Sequence, residues 1–204
     1  QKVNVAARNR ITMGLIELVH RGVGFTHWDI LQLTLATLYN YLRSVHRNHL
    51  FRVSYWGIRN ETTRQIARMV AYKYPPGLST NLRKRRLPLD DSRYAVCRAI
   101  TMQATQVVSS IRACHRCGEF IYFYNYQKKS KRSLESLIVI PVFAKKGAGK
   151  LMQGALCIDT NQPNTFIVEE IDLWRDELVG FLANLSLSEA LREASLRTSN
   201  TGKR

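Results

Sequence analysis

An α+β chain follows from three features of this 204-residue sequence: apolar residues at helical spacing near both ends, β-branched runs between them, and short turns that make consecutive strands antiparallel. Val3, Ala6, Ala7, Ile11, Leu15, Leu18 and Val19 recur every three or four residues and predict a helix that Gly22-Val23-Gly24 ends. A second helix starts near Thr26, with Asp29 in its first turn and Leu31, Leu35, Leu38, Leu42 and Val45 on one stripe, and closes over His46 to His49. Phe51 to Ile58 reads as a strand, paired across Asn60-Glu61-Thr62-Thr63 with Arg64 to Tyr74, which Pro75-Pro76-Gly77 stops. Asp90-Asp91-Ser92 offers oxygens to free helix amides, so a helix is expected from Arg93 to about Ala113. Glu119 to Gln127 alternates Tyr122, Tyr124 and Tyr126 with Ile121, Phe123 and Asn125, as a strand does.

Ser136 to Phe143 and Leu151 to Ile158 are near-continuous apolar runs joined by Ala144 to Lys150, which holds two glycines and three lysines; this is a hairpin. A closing helix is expected over Val168 to Arg197, with Ile171, Trp174, Leu178, Leu182 and Leu185 on its apolar side and Leu191 and Leu196 placed less regularly. The polar tail from Thr198 to Arg204 is expected to be disordered.

The net charge is +16, and its distribution matters more than its sum. Residues 52–150 hold 20 basic and 5 acidic side chains, whereas 151–204 hold 5 basic and 8 acidic. Arg83-Lys84-Arg85-Arg86 and Lys128-Lys129-Ser130-Lys131-Arg132 make two clusters able to concentrate phosphates, nucleic acid, anionic lipid or an acidic partner; two solvated loops would look the same. No apolar run is long enough to cross a membrane. Four unevenly placed cysteines argue for a reducing, cytoplasmic setting over a disulfide-stapled fold. Beginning at Gln1, the chain is expected to be a piece of a longer protein, and any membrane attachment would come from a segment outside it.

Ile140-Pro141, then Gly154-Ala155-Leu156-Cys157-Ile158-Asp159, then Phe166 and a helix from about Val168 resemble the C-terminal half of a GAF domain. The order of elements extends the resemblance over about Trp28 to Leu187, so the expected organisation is an N-terminal helix and linker over 1–24, a GAF-like domain over 25–197 and a tail over 198–204. The resemblance implies a ligand between the antiparallel sheet and its connecting helices and loops. Carried onto this sequence, that region takes in Tyr55, Tyr72, Arg83, Arg86, Arg93, Tyr94, Cys97, Tyr122 and Tyr124. Guanidinium forks and tyrosine rings together suit a nucleotide or another planar anion, although sheet tyrosines and solvated arginines need no ligand. No cofactor is identified.

Cys114-His115-Arg116-Cys117 is a half-set of zinc ligands, a redox pair beside Arg112 and Arg116, or, by the family resemblance, an imitation of a bilin-attaching Cys-His pair; plain helix-end cysteines serve equally. Gly147-Ala148-Gly149-Lys150 joins two strands and lacks phosphate-loop spacing. No clustered nucleophile, acid and base appears. The expected function is therefore a non-catalytic sensory or regulatory domain of a larger signalling protein, binding a small ligand and coupling it to helix packing. A basic scaffold for nucleic acid or an acidic partner is one alternative. A homodimerisation module built from the flanking helices is the other.

Overall fold

The computed structural model describes residues 26–74, 86–118, 134–146 and 149–201. The first helix, α1, spans His27–Val45 and begins in a capping box: Thr26 Oγ1 accepts from the Asp29 amide at 3.3 Å while Asp29 Oδ2 accepts from the Thr26 amide at 3.0 Å. Strands β1 (Phe51–Asn60) and β2 (Gln65–Lys73) follow, then the short β3 (Arg86–Pro88), helix α2 (Ala95–Met102), strand β4 (Gln106–Val108) and the single turn α3 (Ile111–Arg116). The hairpin of β5 (Ser136–Lys146) and β6 (Gly149–Thr160) leads through a 3-10 turn at Val168–Glu170 into α4 (Ile171–Thr201).

Each strand pairs antiparallel with its neighbour, in the order β3-β2-β1-β6-β5-β4. The apolar runs of the hairpin occupy its centre because a strand covered on both faces can afford few polar residues. β4 reaches only as far as Val139, so Pro141 sits past its end, where the missing amide costs no bond to it.

Two helical layers cover the sheet. On one face Leu31, Leu35, Leu38 and Leu42 of α1 and Trp174, Leu178, Phe181 and Leu185 of α4 pack on Phe51, Val53, Tyr55, Ile138, Ile140, Leu156 and Ile158. On the other, Ala95, Val96, Cys97, Ala99 and Ile100 of α2 pack on Trp56, Met69, Leu137, Val139, Ala155 and Cys157.

The structure departs from the sequence reading at four points. The helix expected from Arg93 to Ala113 is broken: Gln103 takes the left-handed conformation at φ 52° and ends α2, and Gln106-Val107-Val108 leaves the helical path to pair with β5. β-Branched side chains meet an open strand edge there, and sheet pairing wins. Asp91 does not cap α2; its carboxylate is held by Arg93 Nε and Nη2, both at 2.9 Å. Phe181 rather than Leu182 takes the deeply buried place in α4, and Val45 of α1 is exposed. Finally, α4 continues to Thr201 instead of ending at Arg197. The expected N-terminal helix, the 119–127 strand and the Pro75-Pro76-Gly77 stop lie outside the described residues.

Candidate functional site

Successive residues of a strand point to opposite faces, and in β1 this separates Phe51, Val53 and Tyr55 from Arg52, Ser54 and Trp56. Register then places Arg52 beside Asp159 and Ser54 between Tyr72 and Cys157. A connected polar row results on the α2 side of an otherwise apolar sheet. Arg52 Nε donates to Asp159 Oδ2 at 2.8 Å, the Cys157 thiol approaches the same oxygen at 3.8 Å, and Trp56 Nε1 donates to Ser54 Oγ at 3.1 Å.

Asp159 is fully buried, and its second oxygen, Oδ1, has no hydrogen-bond partner among the described residues. A carboxylate in that position is costly unless every lone pair is met. Burial, reinforced by the neighbouring Asp159 charge, pushes the Cys157 thiol well above its usual range. Across the layer, burial and then Asp91 and Asp90 push Cys97 up to about 12. Both groups are therefore protonated thiols at neutral pH.

Of the ligand residues expected from sequence, Tyr72, Tyr94 and Cys97 share this face, with Tyr72 stacked on Tyr74 at 4.5 Å. Tyr55 does not join them. It is buried on the opposite face, among α1 and α4, because it alternates with Ser54 and Trp56. Arg86 and Arg93 are exposed and paired, with Glu61 at 2.9 Å and Asp91 at 2.9 Å. Arg83, Tyr122 and Tyr124 lie outside the described residues, as do Lys84, Arg85, Lys128, Lys129, Lys131 and Arg132 of the two basic clusters. Cys114 packs against the α2 layer and Cys117 is exposed; neither is in a disulfide, and no group of three or more metal-ligating side chains converges among the described residues. Arg52, Ser54, Cys157 and Asp159 were missed as a set. Their signal is the polar alternation of Arg52 and Ser54 against Phe51, Val53 and Tyr55.

A separate open groove of about 720 Å³ lies on the other side of the sheet, between α4 and β5. Ile140, Phe143, Val179 and Leu182 line it, with Lys150 and Arg175.

No family model matches the sequence, and no curated protein matches it. Solved structures do match. The GAF domain of an Acinetobacter phosphoenolpyruvate-protein phosphotransferase superposes with a TM-score of 0.57 at 17% identity, over 95% of this chain and 97% of that one. The chain has a GAF-like fold. A putative GAF sensor protein from Burkholderia vietnamiensis gives a TM-score of 0.56 at 14% identity, over 95% and 92% of the two chains. A free methionine-R-sulfoxide reductase from Neisseria meningitidis, solved in complex with its substrate, gives 0.50 at 19% identity, over 82% and 91%. The GAF-like scaffold thus has both sensor and enzyme neighbours, and among its described residues no helix is long and apolar enough to cross a membrane.

Proposed function

We propose that this GAF-like chain is a sensory or regulatory module that holds a small molecule on the α2 side of its sheet and passes the binding state to α4. The observation that carries the reading is Asp159, a buried carboxylate with one oxygen bound to Arg52 and the other without a hydrogen-bond partner among the described residues. That acceptor favours a ligand with a hydrogen-bond donor or a cation, in place of the anion that the basic composition suggests. α4 suits a transmitting role because its last turns carry exposed Leu191 and Leu196 instead of core side chains.

The reading is non-catalytic. At the candidate site the thiols are Cys97 and Cys157, and burial disfavours at both the thiolate that chemistry on a sulfoxide needs. Iodoacetamide at pH 8 is accordingly expected to label exposed Cys117 well before Cys97 or Cys157, as mass spectrometry would read directly.

A thermal-shift screen of the 204-residue chain tests the sensory part, using amines, free amino acids including methionine sulfoxide, nucleotides, haem, bilin and zinc at low and moderate salt. A salt-resistant rise with one compound, lost in Asp159→Asn, is the expected result. A rise only with duplex DNA that vanishes at moderate salt would replace this reading with polyanion binding. Turnover of methionine sulfoxide would overturn its non-catalytic part.

A further inference from the structure

Helix α4 is attached to the sheet in two chemically different ways. Its first half buries Trp174, Leu178, Phe181 and Leu185 in an apolar seam, whereas its last buried residues, Ser188 and Glu189, are polar. Ser188 Oγ donates to the His27 carbonyl at 2.6 Å. Glu189, 3% exposed, accepts Arg59 Nη2 at 3.3 Å on one carboxylate oxygen and Arg192 Nε at 2.6 Å on the other.

Two glycines shape the sheet beneath this triad. Gly57 and Gly154 are cross-strand partners in β1 and β6. A Cβ on Gly57 would stand 2.7 Å from Arg59 Nη1, and one on Gly154 would stand 2.2 Å from the Trp56 carbonyl oxygen and 2.8 Å from the Tyr55 hydroxyl. The Tyr55 hydroxyl is buried there without a hydrogen-bond partner among the described residues, within the field of Glu189, Arg59 and Arg192.

Well-packed apolar side chains would hold the helix at least as firmly, since burying an ion triad gains little over them. Removing one member of such a triad, by contrast, leaves an uncompensated charge. The apolar seam loosens only with the core, but this attachment can fail by itself.

We infer that the Arg59–Glu189 ion pair, with Arg192 holding the other Glu189 oxygen from within α4, is a releasable latch clamping α4 to β1, so that residues 186–192 undock while the seam over 171–185 stays packed. Its regulatory meaning rests on the sensory reading above; its existence does not. β1 supplies the link between the two: Trp56 faces the candidate site, Tyr55 faces the latch, and the pairing with β2 shifts register between them.

Hydrogen exchange on the full chain tests the latch without any ligand. In Glu189→Gln, amide protection over 186–192 is expected to fall by about tenfold or more, with 171–185, β1 and β6 unchanged. The double variant Arg59→Met with Glu189→Met replaces the charges with packing and is expected to match or exceed the parent over 186–192. Unchanged protection in Glu189→Gln overturns the inference, and so does a uniform loss across the sheet. If Glu189→Gln does not fold, a folded double variant less protected than the parent over 186–192 overturns it equally. Either failure is separable from a ligand screen without a hit.

Discussion

The two faces of this sheet are built from the same strands, yet they are covered by different chemistry. On the α1 and α4 face, β1 and β6 contribute Phe51, Val53, Tyr55, Leu156 and Ile158 to one apolar seam. The alternate residues, Arg52, Ser54, Cys157 and Asp159, put a buried polar row on the α2 face. Burying Asp159 with an unmet oxygen costs stability that the apolar face must supply. One face is packed by apolar side chains, and the other sets this polar row within an apolar layer of its own.

The largest effect should therefore come from emptying the apolar face. Phe181 is 1% exposed and sits 6.0 Å, ring to ring, from Tyr41, whose hydroxyl bonds Glu177 one turn earlier on α4. Phe181→Ala is expected to cost about 3–5 kcal/mol in urea denaturation. A loss below about 1 kcal/mol would mean that α4 is an accessory to the sheet and not its cover.

On the polar face the comparison is sharpened by Asp159→Asn. The change leaves Arg52, only 15% exposed in its side chain, beside a neutral amide. The expected cost is about 2–3 kcal/mol, since a charge-assisted hydrogen bond gives way to one onto a neutral amide. No loss in the single variant would show that the row is not electrostatically coupled.

The contrast between faces also explains what could be read in advance. The hairpin and α1 were legible because their signals are local: two β-branched runs around a glycine-lysine turn, and a Thr-x-x-Asp cap before a leucine stripe. Gln106-Val107-Val108 was misread as helix because the strand edge that recruits it comes from β5, about thirty residues later in the chain. The site was half legible for the same reason. Asp159 stood inside a recognisable strand motif, but its meaning depends on Arg52 across a long-range pairing. Tyr55 was assigned to the ligand region by the family resemblance, which gives its strand but not the face of the sheet it occupies.

The smallest expected effect lies where the apolar face ends. Leu191 and Leu196 follow the last buried turn of α4 and are 37% and 52% exposed. Leu191→Ser should change the stability of a monomer by no more than about 0.5 kcal/mol, since it removes little buried area. If the loss is larger and grows with protein concentration, that leucine is covered by a second copy in solution. Sedimentation of the parent and the variant would then show the dimer weakening in step, and the apolar face would extend beyond one chain, along the part of α4 that leaves its sheet.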